Sequence, residues 1–247
     1  MTRVFPVLAL AFAMLGSQVQ AAKVLIITGD EFHAWKQTAP LIKEGHEVTI
    51  TETPGKDLTP DNLKKFDAFV LNYRNTSKGA KENPGSVWSD DNKKAFLDAV
   101  KGGKGLYVYH WASSAFTSDA PLDKEYERAL AGGWRKQGNH GKPHAFMVTV
   151  RKEHPVTAGV AEFKHGPDEL YQNSVMFPES TVLATAFSDL AVDPKNTGKH
   201  EPVVWIANYG KGRVVENVLG HDVAAMQGAP FQKLLVQGVA WAAEGAK

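Results

Sequence analysis

The chain has no cysteine among its 247 residues, and this absence excludes two kinds of chemistry. A disulfide framework cannot stabilise the fold, so the hydrophobic core has to do so alone. A thiolate nucleophile is excluded as well, because only cysteine supplies one. Catalysis, if the chain performs any, must therefore use imidazoles, carboxylates, hydroxyls or amines.

A strong charge of either sign is also lacking. The chain carries 28 lysine and arginine residues against 27 aspartate and glutamate residues, a formal net charge of +1. This balance gives no support for nucleic acid or an anionic membrane as a partner, because both are bound by clustered positive charge. Internal repeats, low-complexity segments and linker-like runs are missing too, so one globular domain is expected.

The N-terminus differs in character from the rest of the chain. Arg3 precedes an apolar run over residues 4–15, and Val19-Gln20-Ala21 matches the small-residue pattern after which signal peptidase cleaves. The run is too short to span a bilayer comfortably. We expect a cleaved signal peptide over residues 1–21, a mature domain over residues 22–247, and a periplasmic or secreted protein. A retained membrane anchor is the alternative, and the lack of cysteine excludes a lipoprotein.

Apolar runs alternate with helical patterns through the first half of the chain. The runs predict buried strands over residues 23–29, 46–51, 66–73 and 104–110. The segments between them predict helices over residues 35–43, 58–65 and 89–101. Residues 74–88, rich in Asn, Gly, Lys and Ser, predict a flexible loop. The alternation of strand and helix indicates an α/β fold with a doubly wound parallel sheet.

The alternation stops after residue 123, and strands dominate from there. A short helix is predicted over residues 124–130 and a closing amphipathic helix over residues 231–243. Further strands are predicted over residues 145–150, 182–186, 202–207 and 212–219. The C-terminal half therefore adds β-strands to the parallel sheet.

Three of the nine histidines follow predicted strands directly, namely His33, His110 and His221. In an open parallel sheet, ligands bind outside the carboxyl ends of the strands, so imidazoles placed there are candidates for a site. A single histidine after a strand is more often a hydrogen-bonded loop residue, but packing needs alone do not explain three. His165 and His200 lie in polar segments and are expected to be solvated.

Acidic groups accompany these histidines. Asp168, Glu169 and Tyr171 offer two carboxylates and a phenol within four residues, which suits sugar hydroxyls, proton transfer or a metal ion. A solvated turn is the competing interpretation. Asp222 follows His221, and a carboxylate bonded to an imidazole fixes its tautomer and strengthens its other nitrogen.

A metal site is a further interpretation of the histidines. His140 and His144 are four residues apart, but a glycine and a proline between them argue against a helix that would align them. A divalent metal such as zinc could be held by His140 or His144 together with His110 and His221, if their neutral imidazoles converged at about 2.1 Å from the ion.

A set of short motifs occurs in a characteristic order along the mature chain. The motifs are Val24–Gly29 with His33, Gly102–Leu106 through His110, Gly132-Gly133-Trp134 with His140, His154-Pro155-Val156, Asp168–Tyr171, Pro202–Trp205, and Gly210–Arg213 leading to Gly220-His221-Asp222. Together they resemble the ThuA-like family of trehalose utilisation, and the resemblance covers nearly all of residues 22–247.

The resemblance implies a flavodoxin-like fold similar to class I glutamine amidotransferases, a mostly parallel sheet with additional β-strands. In those enzymes a cysteine lies at the elbow after a central strand, and a histidine follows a later strand. Here Tyr109-His110-Trp111 occupies the elbow, and His221 matches the later histidine. Glutaminase chemistry is excluded because the chain has no thiol. The family's link to sugar utilisation implies a carbohydrate substrate, and its pathway context implies keto disaccharides.

Three functions are consistent with these observations. The first is an exported enzyme acting on a small sugar or (keto)glycoside, with His110 and His221 as acid–base or metal-binding groups and Glu169 as their partner. The second is a non-catalytic sugar-binding or accessory protein, and the third is a metal-dependent hydrolase. The sequence leaves the oligomeric state open, and no membrane contact is expected after signal cleavage. The residues expected to contact a carbohydrate are His33, Tyr109, Trp111, His140, His144, Asp168, Tyr171 and Asp222, with Trp134 as a further aromatic surface.

Overall fold

A computed structural model describes residues 21–30, 35–43 and 45–246 of the protein. The expected signal segment lies outside the described residues except for Ala21, and His33 lies outside them as well. No helix among the described residues combines the length and the apolar character needed to cross a membrane.

The described residues form strands and helices in alternation. The strands are Lys23–Ile27 (β1), Glu47–Thr51 (β2), Ala68–Leu71 (β3), Gly105–Tyr109 (β4), Gly132–Gly133 (β5), Asn139–His140 (β6), His144–Val150 (β7), Phe163–Asp168 (β8), Tyr171–Gln172 (β9), Val175–Met176 (β10), Thr181–Phe187 (β11), His200–Tyr209 (β12) and Gly212–Asn217 (β13). The α-helices are Trp35–Thr38 (α1), Pro54–Asp57 (α2), Pro60–Leu63 (α3), Ser77–Glu82 (α4), Asp90–Lys101 (α5), Pro121–Leu130 (α6), Val223–Met226 (α7) and Ala229–Ala243 (α8). Short 3-10 helices are Ala39–Lys43, Pro84–Ser86, His110–Ser114, Pro155–Thr157 and Glu244–Ala246.

A nine-stranded sheet with the order β2-β1-β3-β4-β13-β12-β11-β7-β8 is the centre of the fold. The first five strands in this order pair in parallel, and the remaining pairings are antiparallel. Because each antiparallel pairing reverses direction, β11 and β8 run with the parallel group, and only β12 and β7 oppose it. The α/β fold with a mostly parallel sheet and additional C-terminal strands is thereby confirmed.

The continuous apolar runs form strands because helices cover both faces of the parallel half. Along β1, Val24 and Ile26 pack into one core, whereas Leu25 and Ile27 pack into the core on the opposite face. Helix α8 lies close against β4 in the first core. A Cβ at Gly238 would come within 2.6 Å of the Tyr107 ring, so glycine permits this approach.

The expectation of a flexible loop over residues 74–88 is wrong, because helix α4 and a 3-10 turn occupy much of it. The Thr76 hydroxyl accepts the backbone N–H of Gly79 and so caps α4. Asp30, which follows β1, accepts the backbone N–H of Thr76 at 2.6 Å. This cap and anchor order a polar segment whose composition alone indicated a loop.

A partly buried ion pair joins α5 to α6. Lys93 Nζ lies 2.7 Å from Asp123 Oδ1, and the backbone and hydroxyl of Ser118 donate to the other oxygen. Burial acts to raise the pKa of Asp123, but the bonds from Lys93 and Ser118 outweigh it and leave the pKa below its ordinary value of 3.8.

Asp123→Asn should lower the free energy of unfolding by about 1.5–3 kcal/mol at neutral pH, the range for hydrogen bonds to a charged group. Because the folded-state pKa is depressed, the stabilisation is present above the unfolded-state pKa and is lost as the pH falls through the folded-state pKa. Urea unfolding of the two proteins at a series of pH values measures this difference.

Asp98→Asn is the matched control. Asp98 pairs with Lys94 on the exposed side of α5, with side chains 58% and 66% exposed, and its loss should cost less than about 0.5 kcal/mol. Equal losses in the two variants, or a loss at Asp123 that persists unchanged in acid, would contradict the assignment.

Candidate active site

His110 lies at the point where β4 ends in the centre of the sheet. Its backbone has a φ of 41°, in the left-handed region, and its side chain is fully buried. The Nδ1–H donates to the carbonyl oxygen of Val218, beyond the end of β13, at 2.6 Å. A ring that donates from Nδ1 to a carbonyl is held in a fixed orientation, and its other nitrogen, Nε2, is directed away from that bond.

Glu169 and His221 meet His110 at this edge of the sheet. Glu169 Oε2 lies 3.2 Å from His221 Nδ1 and 3.7 Å from His110 Nε2. One ligand atom from each of the three residues falls within 4.8 Å of the other two. We call this group the His–Glu–His cluster. It joins the end of β4, the segment after β8 and the segment after β13.

His140 and two aromatic rings border the cluster. His140 Nε2 lies 3.6 Å from Glu169 Oε1, while its Nδ1–H donates to the carbonyl of Gly141 at 2.8 Å. The Tyr171 ring centroid lies 4.4 Å from that of His110 and 4.3 Å from that of Trp134. Tyr171 is buried and Trp134 is half-buried, so the indole supplies the exposed part of this aromatic surface.

The charges of Glu169 and His221 shift each other's pKa in the direction that favours the charged form. Burial acts to raise the pKa of Glu169, but the hydrogen bonds and charges of His110 and His221 hold it well below its usual range. The hydrogen bond from His221 to Glu169 raises the pKa of the His221 imidazole above its ordinary value of 6.5, against the opposing effect of burial. Both shifts favour an ion pair between the Glu169 carboxylate and the His221 imidazolium.

Asp168 anchors the cluster from beneath. Its side chain is fully buried and accepts the backbone N–H groups of Gly220 at 2.6 Å, His221 at 3.0 Å and Glu169 at 2.8 Å. His165 Nε2–H donates to it at 2.7 Å. These donors outweigh the effect of burial and lower the pKa of Asp168. Asp168 therefore positions the two cluster residues and has no exposed surface to offer a substrate.

Tyr109 and Trp111, predicted as substrate-stacking residues, lie in the protein interior. The Tyr109 hydroxyl donates to the carbonyl of Gly220, and its ring is fully buried. Trp111 is 2% exposed and packs edge-on against both Tyr109 and His110. Their positions correct the expectation of sugar contact, because neither ring has a face open to solvent.

Asp222 and His144 make local contacts instead of joining the cluster. Asp222 caps α7 by accepting the backbone N–H of Ala225 at 2.9 Å, so the carboxylate beside the His221 ring is Glu169. His144 donates from Nδ1 to the carbonyl of Lys142, and its ring packs against Phe146.

Sequence reasoning missed three residues near the site. His165 was expected to be solvated, but it is 3% exposed in β8 and holds Asp168. Arg74 is close enough to Tyr171 for its charge to act on the phenol. Glu216 lies fully buried in β13, where burial raises its pKa to about 8. A carboxylate inside an apolar strand run was a usable signal for Glu216, whereas nothing local marked His165 or Arg74.

Asp168→Asn should lower the free energy of unfolding by about 2–4 kcal/mol. The amide has no charge, and its N–H₂ group would face backbone and imidazole N–H donors that it cannot accept. Urea denaturation measures the loss. In NMR spectra the backbone amide resonances of Gly220 and His221 should shift with it, since both donate to this carboxylate. A loss below about 0.5 kcal/mol would show that Asp168 is not an anchor.

Comparison with known proteins places this geometry in context. The family model for ThuA, described as trehalose utilisation, matches residues 23–242. No curated protein matches the chain. The crystal structure of a ThuA-like protein from Parabacteroides merdae has 28% sequence identity and a TM-score of 0.75, with 91% of each chain covered.

Two more distant structures share the fold. A ThuA-like protein from Bacteroides uniformis has 19% identity and a TM-score of 0.68, covering 89% of this chain and 90% of that one. A GMP synthase protein from Thermoplasma acidophilum has 9% identity and a TM-score of 0.52, covering 91% and 94%. The likeness to the GMP synthase protein is one of fold and confirms the amidotransferase-like sheet. With a family model that spans the nine-stranded sheet and the whole His–Glu–His cluster, the chain belongs to the ThuA family of trehalose utilisation.

Proposed function

We propose that this protein is an exported enzyme of carbohydrate utilisation that acts on a small sugar or (keto)glycoside at the His–Glu–His cluster. The observation that carries the proposal is the convergence of His110, Glu169 and His221 from three separate chain segments at the carboxyl end of the sheet. The family's association with trehalose utilisation supports the substrate class.

The cluster has the groups that acid–base chemistry on a glycoside needs. The His221–Glu169 pair holds a proton that can pass to an oxygen of the substrate, and the partial exposure of His221 gives a substrate access to it. The buried His110 ring faces the same carboxylate from the interior, with its Nε2 at 3.7 Å from Glu169 Oε2. Positioned proton transfer contributes about 10²–10⁴-fold to rate, and it requires no thiol.

The aromatic border suits a sugar ring. The half-buried indole of Trp134 lies against Tyr171 beside the cluster and presents an apolar surface to the C–H face of a pyranose. His140 adds a polar group next to the Glu169 carboxylate. A ring placed on this surface would bring its hydroxyl or carbonyl oxygens towards His221 and Glu169.

A thermal-shift screen of disaccharides and their keto derivatives should identify the substrate class, because a ligand that binds only the folded state raises the melting temperature. Each stabilising compound is then assayed for turnover by product analysis. We expect at least one carbohydrate to stabilise the protein and to be converted. Binding without turnover would contradict the enzyme and indicate a sugar-binding protein.

Glu169→Gln and His221→Ala should each lower kcat by about 10²-fold or more, while the protein stays folded with a melting temperature lowered by the loss of the ion pair. Both side chains are partly exposed, so their loss leaves no large internal cavity. His200→Ala is the control, because His200 is an exposed histidine at the start of β12 and its ring packs against Phe187. Full activity in either cluster variant would remove that residue from the mechanism.

A further inference from the structure

The donor atoms of the His–Glu–His cluster raise the question of what cation lies between them. His110 donates its Nδ1–H to the Val218 carbonyl, and its Nε2 faces Glu169 Oε2 at 3.7 Å, where a shared proton or a metal ion can lie between them. His140 commits its Nδ1–H to Gly141 in the same way and turns Nε2 towards the other carboxylate oxygen. A ring nitrogen and a carboxylate oxygen that face each other can be joined either by a proton or by a metal ion.

The separations match those of a small divalent ion. Ligand atoms at about 2.1 Å from a tetrahedral zinc ion lie about 3.4 Å from one another. The structure places Glu169 Oε2 at 3.2 Å from His221 Nδ1 and at 3.7 Å from His110 Nε2. Two of the three separations are therefore close to the required spacing, and the third, between His110 and His221, is within 4.8 Å.

Two further features are typical of catalytic metal sites. The Val218 carbonyl orients the His110 ring, as the outer hydrogen-bond partners of metal-bound histidines do. Glu169 and His221 are 16% and 31% exposed, so one side of the cluster is open to a water or a substrate oxygen. Two imidazoles and a carboxylate with one open position suit zinc, whereas magnesium and calcium prefer sites built from oxygen atoms alone.

We propose that the protein binds one zinc ion through His110 Nε2, a Glu169 carboxylate oxygen and His221 Nδ1. The sequence pattern indicated His140 or His144 as the third ligand, but the structure puts Glu169 in the centre, with His140 beside its second oxygen. The inference deepens the proposed function because it concerns the same site. Bound there, the ion would act as a Lewis acid towards a substrate oxygen, in place of proton transfer from the His221–Glu169 pair.

Isothermal titration of zinc chloride into the mature chain, purified without a histidine tag and treated with chelator, tests this proposal without any substrate. The expected stoichiometry is one ion per chain. Loss of an outer partner costs about 10–100-fold in metal affinity, so Glu169→Gln and His221→Ala should each weaken binding by at least about 100-fold. His140→Ala should weaken it by about 10-fold, and His200→Ala should bind as the wild type does.

Cobalt(II) provides a second readout, because its visible absorption reports coordination by the protein. The wild type and His200→Ala should show the same band, and both cluster variants should lose it while keeping the wild-type circular dichroism spectrum. Absence of stoichiometric binding, or unchanged affinity in both cluster variants, would overturn the proposal. If turnover depends on the cluster but no metal binds, the metal proposal fails and the proposed function stands. If zinc binds but no carbohydrate is turned over, the metal proposal stands and the proposed function fails.

Discussion

The buried carboxylate of Asp168 is the interaction on which the rest of the site depends. It accepts backbone N–H groups from Glu169, Gly220 and His221, and it is held from below by His165. Hydrogen bonds to an ionised acceptor in a low-dielectric interior are strong, and losing one is costly. Because its donors come from two segments far apart in sequence, Asp168 fixes the distance between the Glu169 carboxylate and the His221 ring.

The elbow after β4 supplies the third member of the cluster. His110 directly follows the central strand β4, and its backbone has a φ in the left-handed region. The carbonyl of Val218 then orients the ring towards Glu169. An imidazole can exchange a proton or bind a cation but cannot form a thioester.

Much of the fold was readable from the sequence, because apolar runs such as those of β3 and β4 mark strands buried on both faces. The histidines that follow β4 and β13 also predicted side chains that the structure brings together at one edge of the sheet. Its internal pairing was not readable: Asp222 is the neighbour of His221 in sequence, but Glu169 is its neighbour in space. Local pattern cannot show that the segment after β8, at the far edge of the sheet, returns to β4. The burial of His165 could not be predicted for the same reason, because it bonds Asp168, which is held in turn by the distant backbone of Gly220.

A crystal structure of the protein with a bound disaccharide or keto disaccharide tests the central claim most directly, namely that ligands bind at the His–Glu–His cluster. We predict a sugar oxygen within about 2.6–3.2 Å of Glu169 or His221, with the ring against Trp134. The contradicting result is a ligand in the groove of about 340 Å³ between α3 and α5. This groove includes Gly102–Lys104, which precede β4, so it lies at the end of β4 opposite the cluster.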